Sequence, residues 1–333
     1  MQITKSKIVY LSISSCPMKK ILLSILFFTS IITLSFAQQD AETSMYLYNG
    51  LYLNPAYAGS REALNATVMY RDQWVKMPGA PQTASVGVNS PLNNDKLALG
   101  LLYSHDMIGV TKTNSVSADF AYRIKAGKKK DVTISFGISA GFENYVANLN
   151  GVATTDANDP SFEGNNQNRW LPNVGAGVYA YSNKFFAGVS VPYILANRLN
   201  GPSALFATST GIARQYQNLL VTGGYVFELG KKVHFVPSVL FKYVPNYAPV
   251  TLDFNATFVF IDRVWLGVSY RLNDSYDFSL AVNLTKQIKI GYCYDLTVSP
   301  LSKFTTGTHE VMVSFDTWFK GKKAVAPAQM KYF

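Results

Sequence analysis

Three groups of residues in this chain have types and spacings that could do chemistry. Gly137-Ile138-Ser139-Ala140-Gly141 has the G-x-S-x-G spacing, in which a serine raised on a sharp strand-to-helix turn serves as an acyl-transfer nucleophile. Asp156, Asn158, Asp159 and Glu163 crowd the segment TTDANDPSFEGNNQN, and oxygen-rich segments of this kind can hold calcium. His105, His234 and His309, with Cys16 and Cys293, are the imidazoles and thiols from which a zinc site would have to be built. Each group fails on its context. The serine lies inside a run of two-residue alternation with no helix after it, so its glycines read as room on a crowded face. Pro160 takes a ligand place in the acidic segment, whose spacing departs from the EF-hand and reads as a solvated loop. The histidines are scattered, with no H-E-x-x-H and no cysteine pair. Catalysis, metal and cofactor therefore find no residue set, and the reading is of a protein that is not an enzyme.

The elements that hold these residues are strands. From Val132 the even positions Val132, Ile134, Phe136, Ile138, Ala140 and Phe142 are apolar, and the odd positions Thr133 to Glu143 are small or polar. The same split recurs in Val264, Leu266, Val268 and Tyr270, in Phe278, Leu280, Val282 and Leu284, and in Val311, Val313 and Phe315. A period of two is strand patterning. About fourteen such runs follow one another, near 63–72, 82–90, 96–105, 113–125, 131–148, 171–181, 184–195, 215–229, 232–244, 250–260, 263–272, 276–285, 287–296 and 309–319. Each is close to the roughly 9–11 residues that a tilted strand needs to cross a bilayer.

Short turns alternate with connections that are mostly longer, above all Asn150 to Trp170 and Asn197 to Arg214. That asymmetry belongs to outer-membrane barrels, with the short turns in the periplasm, and it puts both termini on the periplasmic side. A soluble sandwich would turn its polar face outward and pack the apolar one, but here the opposite face is Gly, Ser, Thr and Asn, too small to make a core. The expected fold is therefore all-β, a transmembrane antiparallel barrel spanning 63–319. Composition agrees: aromatics make up 14% and charged residues 15%, well under the quarter usual for soluble domains. Alternation sends Arg71, Asp119, Arg123, Lys242, Asp253, Arg271 and Asp295 into the lumen, as a structural network or as the wall of a site, with Cys293 among them as a small inert residue.

The ends carry their own signals. Ile21 to Leu34 is an apolar run preceded by Lys19 and Lys20 and followed by Ser35-Phe36-Ala37, the anatomy of a secretory leader over 1–37, with Met18 a possible true start. Cleavage after Ala37 leaves Cys293 as the only thiol, so no internal disulfide can form. The net charge of +10 includes four leader lysines, and no basic-aromatic recognition motif accompanies it, so nucleic acid is excluded as a partner. The last fourteen residues, 320–333, form a basic tail expected to hang in the periplasm.

Several segments resemble one family, the PorP/SprF outer-membrane proteins associated with the type IX secretion system of the Bacteroidetes. They are YLYNGLYLNPAYAGS (46–60), YRDQW (70–74), LPNVGAGVYAYSNKFFAGVSVPYIL (171–195), VPSVLFKYVPNYAPVTLDFNATFVF (236–260), WLGVSYR (265–271) and GYCYDLTVSPLSKFTTGTHEVMVSF (291–315). The resemblance implies a barrel similar to the fourteen-stranded fatty-acid transporters, whose N-terminal hatch also carries an Asn-Pro-Ala element. It implies support of secretion or surface display of cargo, such as gliding-type adhesins, by binding a cargo's C-terminal signal domain or periplasmic machinery. The alternative is passive transport of small hydrophobic or polar solutes. It also gives LYLNPAYAG a place. Pro55 bars it from a ladder while Tyr52, Leu53 and Tyr57 seek burial, so residues 38–62, with Asn54, Pro55, Ala56 and Tyr57 as their motif, are expected to plug the periplasmic mouth.

Overall fold

A computed structural model describes residues 42–92, 96–127, 131–148, 167–197, 215–245 and 248–318. The leader, the acidic segment around Asp156 and the tail 320–333 lie outside the described residues. The strands are β1 (Leu64–Asp72), β2 (Gln82–Pro91), β3 (Leu97–Ile108), β4 (Thr111–Ala126), β5 (Val132–Ala147), β6 (Gln167–Tyr181), β7 (Phe185–Val191), β8 (Leu219–Tyr225) and β9 (Phe227–Glu228). They continue with β10 (Val233–Tyr243), β11 (Thr251–Phe260), β12 (Val264–Arg271), β13 (Ser275–Asn283), β14 (Ile288–Thr297) and β15 (Thr308–Thr317). β8 and β9 are two parts of one strand in a single register against β10, so the sheet has fourteen staves.

Every stave pairs antiparallel with its neighbour in sequence, and β15 returns to pair with β1 from Leu64↔Thr317 to Asp72↔His309. The sheet is thereby closed, and no edge is left to lipid, which cannot satisfy backbone N–H and C=O groups. One rim carries short turns alone; the other carries the longer connections together with tight turns at 109–110 and 272–274.

The pleat divides the two faces by chemistry. On β5, Phe136, Ile138 and Phe142 point outward, Ile138 being 61% exposed, while Ser135 and Gly137 are buried. Lipid takes the outward set in the membrane; the inward set must be satisfied within the protein.

Three local departures from the expected boundaries have backbone causes. β3 and β4 run on to a two-residue turn at Gly109-Val110, where the expected gap was wider; Gly109 takes φ +56°, a conformation that glycine adopts without penalty. β7 stops at Val191 instead of reaching residue 195, because Pro192 has no N–H to add to the ladder. The break at Val226 falls opposite Val236-Pro237, where the ladder again lacks a donor.

The two faces make a direct prediction for neighbours on β4. Ala118 is exposed on the outer face and Ser117 faces the interior. Ala118→Arg should cost about 2–4 kcal/mol of barrel stability by placing a charge in lipid. Ser117→Arg should insert and keep the heat-modifiable mobility of a folded barrel. Equal loss of folded barrel in both variants would show that the faces are assigned the wrong way round.

Candidate functional site

Residues 42–61 occupy the lumen. The segment makes a 3-10 turn at Tyr46–Tyr48, a single α-helical turn at Gly50–Leu53 and a second 3-10 turn at Pro55–Tyr57. Met45, Tyr46, Leu47, Tyr48, Leu51, Leu53, Ala56 and Tyr57 are all buried, and each large apolar side chain among them contributes roughly 1.5–3 kcal/mol by leaving water.

Asn54 builds the middle of the segment. Its Oδ1 accepts from Ala56 N at 2.9 Å, capping the second 3-10 turn, and its Nδ2 donates to the carbonyls of Val178 at 3.1 Å and Val189 at 3.4 Å. Pro55 starts the turn, where a missing N–H costs nothing. Ser190 Oγ donates to Leu53 O at 2.6 Å, and Tyr57 sits edge-on to Tyr179 with ring centroids 5.7 Å apart. The wall here is shaped to the backbone: a Cβ on Gly137 would collide with Pro55 and Ala56, and one on Gly177 with Asn54 Oδ1. The first glycine of the G-x-S-x-G run thus makes room for the segment, the second lies close against Val116 and Ser117 of β4, and Ser139 stays in mid-strand between Asp119 and Gly175.

Each end of the segment is held by charge. Near the longer connections, Arg71 pairs with Asp295 at 2.8 Å and Glu310 at 2.9 Å, and Arg271 pairs with Asp253 at 3.1 Å. Ser44 joins the two groups: its hydroxyl donates to Asp295 at 2.7 Å and accepts from Arg71 at 3.0 Å and Arg271 at 3.1 Å. Ser44 N donates to Glu310 at 2.8 Å, and Thr43 adds a short hydrogen bond to the same carboxylate. Glu42 reaches Arg271 at 3.6 Å and Lys242 at 3.9 Å. At the short-turn end, Arg61 pairs with Asp316, and Arg123 donates to Gly59 O at 2.6 Å. The segment therefore crosses the lumen from one rim to the other.

The segment thus fills the bore from rim to rim, deeper than a plug of one mouth. Glu42 lies against the last residues of β10 and β12, at the rim of the longer connections, whereas β15 ends at the short-turn rim. The physical reason is the charge at that rim: Glu310, Asp295, Arg71 and Arg271 there satisfy Thr43 and Ser44.

Of the seven expected lumen residues, Arg71, Asp253, Arg271 and Asp295 come together in one network, and Lys242 joins it through Glu42. Arg123 serves the segment elsewhere, and Asp119 stands apart on the wall of a cavity of about 400 Å³. Cys293 is buried with its thiol toward Asp295 at 3.3 Å. Sequence reasoning passed over Glu310 and Asp277, although alternation with Val311 and Phe278 marks them as inward. It also missed Lys289, whose ammonium lies 3.9 Å from the centre of the Trp265 ring and 5.3 Å from that of Tyr48, a buried cation held by aromatic faces.

A closed barrel filled by its own N-terminal segment, with Asn-Pro-Ala seated against inner-wall glycines, is the architecture to set beside known proteins. The family model described as type IX secretion system membrane protein PorP/SprF matches residues 35–315. The chain belongs to the PorP/SprF family. No curated protein matches. Among solved structures, a Pseudomonas aeruginosa FadL homologue shares 12% identity at a TM-score of 0.46, covering 80% of this chain and 93% of that one. A structure described as the CymD monoaromatic hydrocarbon channel shares 11% at 0.46, covering 82% and 93%. The Acinetobacter baumannii outer membrane protein Omp33 shares 8% at 0.42, covering 77% and 100%. At these scores nothing about the lumen of this PorP/SprF protein follows from them.

Gly137→Leu tests the seating of the segment. The added side chain meets the backbone of Pro55 and Ala56, an overpacking cost of about 1–3 kcal/mol. Cleavage between Tyr46 and Gly59 by a dilute protease should accelerate roughly tenfold or more, since each 1.4 kcal/mol is tenfold in the population of the open form. An unchanged cleavage rate would show that the segment does not rest on that wall.

Proposed function

We propose that this outer-membrane barrel supports type IX secretion by binding protein partners, cargo carrying a C-terminal signal domain or periplasmic machinery, and that gliding-type adhesins are among the cargo it helps display. The observation that supports this reading is the lumen itself, crossed from rim to rim by residues 42–61 and tied at both ends by buried ion pairs. A bore so occupied suits a scaffold for partners better than a conduit for solutes. The short turns face the periplasm in this reading, because outer-membrane barrels keep their longer connections outside. Passive transport is the second reading, and the 400 Å³ cavity between the segment and the wall favours it.

Deleting the gene from its host decides between them together with liposome swelling. The proposal expects loss of a type IX cargo from the surface, recovery of cargo or machinery with barrel purified from native outer membranes, and liposomes that do not swell with small sugars or alkanols. Swelling with secretion intact would replace the binding role by transport.

A further inference from the structure

The cavity on the wall side of residues 51–55 has an uneven lining. The segment presents Leu51, Tyr52, Leu53 and Pro55, and the strands add Leu220 and Leu240. β4 and β5 add Ser117, Asp119 and Ser139, with Asp119 Oδ2 and Leu51 Cδ1 side by side over Gly100. Asp119 is 4% exposed, and its Oδ2 has no hydrogen-bond partner among the described residues. A carboxylate in that state is costly, because burial removes its water and nothing replaces it. Its neighbours across the ladder are Gly100 and Ser139, neither of which carries a charge. The cations nearest in the lining are already engaged: Arg271 lies within 3.1–3.9 Å of Asp253, Glu42, Asp274 and Asp277, and Lys242 faces Glu42. Among the described residues, Glu42, Asp119 and Asp253 line the cavity together with Lys242 and Arg271.

We propose that this cavity is a binding site for an ammonium or guanidinium group on an apolar stem, with the cation on Asp119 and the stem against Leu51, Leu53 and Leu240. A ligand of this class supplies what the site lacks: a charged donor for a buried carboxylate, and an aliphatic body for the segment's apolar face. The volume of about 400 Å³ lies within the range of small-ligand sites and admits a stem of several carbons. The same chemistry is carried by a free alkylamine and by a lysine side chain of a bound polypeptide. The site goes beyond the secretion role, and it is measured on purified barrel, so failure of either leaves the other standing.

The test uses wild-type barrel in nanodiscs of zwitterionic lipid and two fluorescent probes, dansylcadaverine and its neutral N-acetyl derivative. Wild type should bind dansylcadaverine saturably and one to one, at least about tenfold tighter than the acetylated probe. Asp119→Asn should weaken dansylcadaverine by about 10- to 100-fold, the loss of a charge-assisted hydrogen bond, without affecting the neutral probe. Ser139→Lys places a tethered ammonium on the residue directly across from Asp119 and should abolish binding. Hexylammonium and a short capped peptide with one central lysine then compete: displacement by both admits a polypeptide source, and displacement by hexylammonium alone assigns a free amine. Equal affinity of wild type for the two probes overturns the proposal even where a variant fails to fold, as does undiminished binding by folded Asp119→Asn.

Discussion

The hydroxyl of Ser44 is the point on which the interior turns. It donates once and accepts twice, which is the full hydrogen-bonding capacity of a serine. The two donors it receives are Arg71 of β1 and Arg271 of β12, and the acceptor it serves is Asp295 of β14. One residue of the N-terminal segment thus stands between two like charges from separate staves and accepts a hydrogen bond from each. Buried ion pairs of this kind do not by themselves make a protein stable, since desolvation offsets much of their attraction. They do penalise any arrangement in which a partner is missing, and this fixes where the segment must lie.

From that constraint the rest of the lumen follows. Once Thr43 and Ser44 are held at the rim of the longer connections, the chain must descend to reach Leu64, where β1 begins at the opposite rim. The descent brings Asn54 to Gly177 and Pro55-Ala56 to Gly137, positions where the wall has no side chain to oppose the backbone. It ends with Arg61 on Asp316, beside the closing strand. The apolar side chains of the segment form one buried core with Met69, Tyr179, Phe186, Trp265 and Met312 of the wall. The interior is filled and charged, and the space that remains is bounded by the segment itself.

Much of this was legible in the chain. Period-2 alternation placed the staves to within a few residues, because lipid outside and polar residues inside impose opposite demands on successive positions. The same pattern put Arg71, Asp253, Arg271 and Asp295 inside. Which of them meet was not legible, since Arg71 and Glu310 are joined only by closure of the barrel between its first and last strands. The path of residues 42–61 was hidden for a related reason. Irregular turns carry no periodicity, and apart from Arg71 the partners of Glu42 and Ser44 lie some two hundred residues or more away in the sequence. The boundaries that moved did so at Gly109, Pro192 and Pro237, where backbone conformation or a missing donor outweighs side-chain pattern.

Hydrogen exchange of the folded barrel in nanodiscs bears most directly on the claim that residues 42–61 are an integral part of its interior. The amides of Ser44, Ala56 and Gly59 donate to Glu310, Asn54 and Asn89, all within buried surroundings. Peptides covering residues 44–60 should exchange as slowly as the strands they touch, well behind the connection at residues 298–307. Exchange at the rate of an unstructured chain across residues 44–60, with the strands still protected, would contradict the account.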